Sequence, residues 1–353
     1  MNIVILINIL AIFFAFLESK KIVKNGLLIS FFILFVFLAL RFDYGNDYQM
    51  YFEGFDKINK IGWSEVYNEK LHFEPGWVVV CILFDPIGFF GMVAFLSFLY
   101  CYVFYKLVRD YVPVHLYWLA MFILVFSTGN FLVHLSAMRQ TLVIVIFIYS
   151  LRFIFKKQLL LYCAIILLAS TFHSSALILL PIYFLQFVNF KINKWSGGLI
   201  IVLYISLFLI GQQIRPFLNL LILSIHEDYL YYDDEGSFNS GIGLIINSFI
   251  FILILANDKY FEGKLSFFFK LGIISFILSP FGLIILLIGR IQMYFSVFLI
   301  IVYCLVYDSI KSKLLKLVFL GILILLTLVT FFEFFKSPIW IDKFKEYQTI
   351  LSY

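Results

Sequence analysis

Stretches of roughly 17 to 25 apolar residues recur along the whole sequence, and each is long enough to cross a bilayer core as a helix. "INILAIFFAFL" from Ile7 and "LVIVIFIYSL" from Leu142 show the pattern: continuous apolar runs without the alternation a strand would need. In lipid, only helices and closed barrels satisfy their own backbone, so these runs predict an all-α polytopic membrane protein. Composition agrees, with 63% hydrophobic and 13% charged residues over 353 positions. We read a single polytopic domain over 1–353, with outward loops at about 41–75 and 215–240.

Twelve spans are expected, at about 1–17, 25–40, 76–105, 113–134, 136–155, 158–172, 174–190, 197–214, 241–256, 265–289, 291–307 and 317–335. The first run lacks a basic n-region and a small-residue cleavage site, so it reads as a retained span. Asp85-Pro86 interrupts the third segment, and proline breaks a helix there. A short re-entrant or interfacial piece at 76–84 followed by one true crossing is therefore expected. On this map thirteen of the twenty lysines fall on one face, which the positive-inside rule makes cytoplasmic, with both termini outside. Arginine behaves differently, because Arg41, Arg139, Arg215 and Arg290 fall at outer span ends.

The net charge of +5 resides in short inter-span loops, which argues against a nucleic-acid partner. Cys81, Cys101, Cys163 and Cys304 lie in apolar runs without metal-type spacing, so neither a disulfide framework nor a zinc site is indicated.

The outer face gathers the chemistry-bearing residues. They are Arg41, Asp43, Asp47, Tyr48, His72 and Glu74 in the first outward loop, then Arg139 and Gln140, His173, and Arg290. Arginine forks bind phosphate oxygens in pairs, while carboxylates and histidine supply base capacity, a set that suits a phosphorylated or diphosphorylated ligand. Local readings exist as well. Arg41 snorkels to headgroups, Asp43 and Asp47 cap turns around Gly45, and Glu74 caps the helix that starts at Pro75. Arg139 resists such a reading, because a guanidinium in the first turn of an apolar span is costly without an anionic partner.

Five stretches in order, "RFDYGNDYQMYFEGF" from Arg41, "EPGW" from Glu74, "MRQ" at Arg139, "FHSSALILLP" around His173 and "GRIQMYF" at Arg290, give the sequence its resemblance. It resembles the EpsG-like branch of the Wzy-type bacterial polysaccharide polymerases over residues 1–310, departing at Val143, where that family tends to have alanine. The resemblance implies a glycosyltransferase-C-like helical architecture in the cytoplasmic (inner) membrane. It implies an enzyme joining polyprenyl-diphosphate-linked oligosaccharide repeat units into O-antigen, capsular or exopolysaccharide on the periplasmic or extracellular side. Its partners would be those lipid-linked oligosaccharides and the bilayer, with a chain-length regulator and a flippase as candidate protein partners.

In that reaction Arg139 and Arg290, assisted by Arg41, are expected to hold diphosphate, with Asp43, Tyr48 and Gln140 lining the substrate site. Glu74, Asp47 and His173 are the candidates for the base that takes the acceptor proton. Diphosphate is a good leaving group and no acidic cluster is evident, so no metal or other cofactor is expected. Two other readings are a lipid-linked oligosaccharide transporter or flippase and a membrane acyltransferase modifying surface sugars. Transport favours inverted repeats and polar groups at mid-membrane, whereas the polar set here gathers at one rim.

Overall fold

A computed structural model describes residues 1–61, 73–188, 195–206, 210, 213, 242–282, 286–344 and 346–352. Within the span read as one polytopic domain, contacts group into two compact units, Met1–Phe187 with Thr327–Tyr353, and Val188–Leu326. The fold is helical. Among the described residues, five helices are long and apolar enough to cross a membrane: α1 (Asn2–Ser19), α5 (Gly88–Tyr111), α8 (Met138–Phe155), α12 (Lys264–Gly282) and α15 (Lys313–Phe334). A sixth candidate is a bent pair, Ile288–Ser296 with Leu299–Ser309, angled by 52°. Shorter apolar helices lie within other stretches where spans are expected: α2 (Gly26–Ala39), the stretch Val114–Phe126, α9 (Leu159–Ser170), Ser174–Phe187, α10 (Trp195–Ser206) and α11 (Ile242–Ala256).

Unit one begins with a tight helical hairpin. In α1 the buried residues are Val4, Asn8, Ala11 and Ala15, a stripe of mostly small side chains at helical spacing that lets α2 approach. The Glu18 carboxylate at the end of α1 accepts the backbone N–H of Leu27 at 2.6 Å, so it caps the first turn of α2. Asn8 Nδ2 donates to the Val125 carbonyl at 3.0 Å inside the bundle.

The segment after α2 differs from the loop expected there. Tyr48–Ile61 forms an amphipathic helix, α3, whose buried residues Tyr48, Tyr51, Phe55 and Ile58 repeat at three- and four-residue intervals. They pack with Trp77, Cys81, Phe89 and Met92 in one apolar cluster. The third expected span does split near Asp85-Pro86. Pro75–Phe84 is a ten-residue helix, α4, followed by the 24-residue α5. At 1.5 Å per residue α4 covers about 15 Å, about half a hydrocarbon core. The fourth expected span, 113–134, ends early: α6 (Tyr117–Phe126) stops before Ser127, and a turn leads to the short α7 (Leu132–Ser136).

Residues 338–352 form a strap across the loop that follows α2. Helix α16 (Pro338–Phe344) leads to strand β2 (Gln348–Thr349), which pairs antiparallel with β1 (Arg41–Phe42). Tyr347 stacks on Phe37 at 4.6 Å and donates its hydroxyl to the Phe37 carbonyl at 2.6 Å. Lys343 pairs with Asp43 at 3.3 Å. Asp43 itself adopts φ 41°, a left-handed conformation that aspartate tolerates better than most residues. Gly45, at φ 132°, lies where a Cβ would meet the Leu135 carbonyl oxygen at 3.0 Å, and the next N–H, of Asn46, donates to Ser136 Oγ at 2.9 Å. The loop is thus clamped between α7 and the strap. Strand pairing holds the start of the loop after α2 against the C-terminal strap.

Unit two packs largely through aromatic rings. Phe251 stacks on Phe276 at 4.7 Å and meets Tyr204 at 5.4 Å, while Phe268 stacks on Phe298 at 5.6 Å. Arg290, expected between two spans, instead lies within helix α13 (Leu286–Ser296). The bend falls at Val297–Phe298, before α14 (Leu299–Ser309), where Ser296 Oγ bonds back to the Met293 carbonyl at 3.4 Å, a contact that bends helices.

Candidate functional site

Three stretches widely separated in sequence meet in unit one around Glu74. The residue stands at the N-cap of α4 with Pro75 in the first turn, yet its side chain makes no cap hydrogen bond. Its carboxylate points elsewhere. One oxygen takes the Arg139 guanidinium, and the other is 3.0 Å from His173 Nδ1 and accepts the Ser174 N–H at 3.2 Å. The three side chains are 20%, 18% and 19% exposed, so the ion pair is sheltered but reachable.

Gly76 makes this meeting possible. Its N–H donates to the Thr171 carbonyl at 2.8 Å, and a Cβ there would sit 2.3 Å from Thr171 Oγ1 and 2.8 Å from the carbonyl oxygen. Only glycine lets α4 start flush against the 171–174 turn, two residues from Glu74. Gly76→Ala is expected to push the two segments apart and cost about 1–3 kcal/mol of stability, with activity falling further than the melting temperature. Thermal unfolding and chain-extension rate measured on one purified sample check this, and an active, wild-type-stable variant would contradict it.

Arg139, in the first turn of α8, is held on its other sides by rings. Its guanidinium lies 5.2 Å from the Phe73 ring centroid and 5.8 Å from that of Tyr51, and Nε approaches the Tyr51 hydroxyl at 3.5 Å. Such stacking contributes about 0.5–2 kcal/mol each and fixes the plane of the fork. Burial raises the Tyr51 phenol, the Arg139 charge opposes that, and Asp47 pushes it up again, so Asp47 stands close enough to act on the same group.

The carboxylate of Glu74 is strongly committed. Burial favours its protonated form, but the His173 hydrogen bond and then the Arg139 charge outweigh it and bring the pKa down to about 2. A carboxylate held at about 2 rather than near 4.5 contributes about 3 kcal/mol of folding stability. Because the folded value is the depressed one, that stability is complete above pH 4.5 and is lost as pH falls toward 2. Wild-type protein should therefore exceed Glu74→Gln by about 3 kcal/mol at pH 6, with the gap closing on acidification. Unfolding of the detergent-solubilised pair at several pH values measures it. A pH-independent gap would mean that the charge on Glu74 is not what stabilises the junction.

An ionised Glu74 only accepts, so the hydrogen on the His173–Glu74 bond belongs to Nδ1, which leaves Nε2 as the ring nitrogen turned away from Glu74. Glu74 consequently suits positioning better than proton abstraction, while His173 keeps a free basic nitrogen. This is the arrangement in which a carboxylate sets the tautomer of a base.

The other sequence-selected residues are distributed as follows. Arg41 does not snorkel: it is 5% exposed and donates to the Leu38 carbonyl at 2.8 Å and to Ser97 Oγ at 3.4 Å. Burial lowers its pKa to about 10, which leaves it cationic at neutral pH. Tyr48, expected to touch substrate, is wholly buried, with its hydroxyl on the Arg41 carbonyl at 3.1 Å and its ring 5.4 Å from Phe89. It packs the loop. Gln140 is also buried, and Asp43 is engaged by Lys343. Arg290 belongs to unit two. His72, Arg215 and the loop 215–240 lie outside the described residues. Sequence reasoning passed over Tyr51, Phe73 and Ser174, although Tyr51 falls on the apolar stripe of α3 and Phe73 and Ser174 directly flank Glu74 and His173.

No curated protein and no solved structure matches the chain. A family profile described as "EpsG family" matches residues 24–349, nearly the whole chain and as far as the second residue of β2. That family carries a polysaccharide-polymerase-like function of glycosyltransferase type. With the helical multi-pass fold and the joined "EPGW", "MRQ" and "FHSS" motifs, the match establishes that this chain belongs to the EpsG family.

Proposed function

We propose that the protein joins polyprenyl-diphosphate-linked oligosaccharide repeat units into O-antigen, capsular or exopolysaccharide on the outer face of the bacterial cytoplasmic membrane. The observation that carries this reading is the Glu74 carboxylate bridging Arg139 and His173. It puts a phosphate-binding fork and a basic imidazole nitrogen on one junction, as attack by a sugar hydroxyl with loss of diphosphate requires. His173 Nε2 takes the acceptor proton as the hydroxyl oxygen bonds to the anomeric carbon. The anomeric carbon–oxygen bond to diphosphate breaks, and the departing polyprenyl diphosphate carries away the electron pair, its growing charge met by Arg139. Glu74 holds both residues in register, and Asp47 stands beside Tyr51.

We further propose twelve crossings in a glycosyltransferase-C-like arrangement: the five long helices, the bent pair and the shorter apolar helices other than α4. The outer assignment follows from the lysine bias. Purified protein supplied with a defined polyprenyl-diphosphate oligosaccharide should yield longer glycans and free polyprenyl diphosphate in equal numbers of events. Movement of the substrate across a vesicle membrane without extension would favour the flippase reading instead.

A further inference from the structure

A small cavity lies between α2, α5, α7 and α8, with a volume of about 30 Å³, room for a water or two. Its polar lining is Arg41, Ser97, Tyr100, His134 and Thr141, set among apolar side chains. Three of these five already direct their hydroxyl hydrogens elsewhere. Ser97 donates to the Val93 carbonyl at 2.7 Å, Tyr100 to the Asn130 carbonyl at 2.7 Å, and Thr141 to the His134 carbonyl at 2.9 Å. The buried Arg41 and His134 are left short. Among the described residues, hydrogen bonds reach only Nη1 of the Arg41 guanidinium, and Nε has no partner. His134 is 4% exposed and neither ring nitrogen is bonded, although Tyr100 at 5.7 Å and Phe104 at 6.2 Å hold the ring edge-on.

Buried polar groups in folded proteins nearly always have partners, and a buried cation without a counter-charge is among the costliest exceptions. No carboxylate pairs with Arg41 among the described residues. Asp43, two positions on, is engaged by Lys343, and the ring facing the guanidinium is that of Tyr48 at 5.9 Å. Water answers an empty N–H but leaves the charge uncompensated in a medium of low dielectric. The charge therefore calls for an anion, and the volume sets its size. Phosphate, sulfate and carboxylates need more room than a water or two leave. A bare halide, only slightly larger than a water, fits, and a monatomic ion accepts N–H bonds from any direction.

We infer that this cavity is a structural halide site, holding one chloride ion between Arg41 Nε and a ring N–H of His134. A water beside the ion would donate to the other ring nitrogen, so both residues are satisfied together. The ion compensates charge at the root of the clamped loop. Arg41 opens β1, which pairs with β2, and its carbonyl accepts the Tyr48 hydroxyl at the start of α3. The site is separate from the Glu74 junction, toward which Arg139 leaves the first turn of α8. The inference is independent of the polymerase reading, since it needs only the unpaired cation, the unbonded imidazole and the space between them.

The test is equilibrium binding of radiolabelled chloride to the full chain in phosphatidylcholine nanodiscs, at constant ionic strength in gluconate buffer. Wild type is expected to bind one equivalent per chain, displaced by bromide and not by sulfate or acetate at the same concentration. Arg41→Met and His134→Phe should each weaken binding by about tenfold or more, because each removes an N–H contact to a charged acceptor. Thermal unfolding should follow occupancy. The wild-type melting temperature is expected to be higher in chloride than in gluconate, and that difference should vanish in both variants. His134→Phe keeps the ring contacts with Tyr100 and Phe104, so it carries the test if Arg41→Met does not fold. Absence of bound chloride in wild type means that the cavity holds water only, and overturns the inference. Wild-type affinity in either folded variant puts the ion elsewhere and overturns it as well. Sulfate competing as well as bromide overturns the assignment to a cavity of this size.

Discussion

Arg139→Lys is expected to lower chain extension by about 10²-fold or more, the range seen when one preorganised donor is removed from a developing anion. Lysine keeps the positive charge, so Glu74 retains a partner and the junction should still fold. What it loses is planarity. The guanidinium bonds Glu74 while its plane is set by the Phe73 and Tyr51 rings, a fixed planar geometry that a flexible ammonium cannot reproduce. The measurement is initial extension rate on a lipid-diphosphate donor at matched membrane abundance, and near wild-type rates would remove Arg139 from the chemistry.

Loss of the imidazole should be at least as severe. His173→Ala removes the proposed base, an effect of about 10²–10⁴-fold for general-base catalysis. Because alanine also abandons Glu74, His173→Asn is the sharper comparison. Its amide nitrogen falls near the place of Nδ1 and preserves a donor to Glu74 while supplying no basic nitrogen at Nε2. The asparagine variant should fold like wild type and stay as inactive as the alanine variant. If His173→Asn extends glycans normally, His173 is a structural link and the base lies elsewhere, with Asp47 the nearest candidate by its action on Tyr51.

Much of this was legible in the sequence because lipid imposes a one-dimensional rule: an apolar run of sufficient length becomes a helix wherever the rest of the chain goes. Hence α1, α2, α5 and α8 lie close to where the runs predict, and Asp85-Pro86 marks the junction between α4 and α5. That Arg139 has an anionic partner was visible for a related reason, since an arginine in the first turn of an apolar helix needs one. Which partner was not legible. Glu74 and Arg139 are 65 residues apart, and Glu74 and His173 are 99 apart, without a periodicity that connects them.

Other features escaped because their signals were local and mixed. The polar residues of α3 made it look like loop, although Tyr48, Tyr51, Phe55 and Ile58 carry helical spacing. The break after Phe126 follows an uninterrupted apolar run, so composition extended that span too far. Arg290 was assigned to a span end because charge usually marks one, yet α13 continues through it. Residues 338–352 have neither a long apolar run nor a strong motif, and their place is determined by partners some 300 residues earlier, as in the Lys343–Asp43 pair.

That separation also has a consequence for biogenesis. Translation at about 5–20 residues per second leaves roughly 15–60 s between emergence of Asp43 and of Lys343. Throughout that interval β1 has no strand partner and Tyr44 lacks the rings of Phe344 and Tyr347 that later enclose it. The loop that carries Arg41 is therefore clamped only after the intervening helices have been made, which couples its closure to synthesis of the whole chain. A nascent chain arrested before residue 338 would hold its apolar helices and still lack the strap across the Arg41–Tyr44 loop.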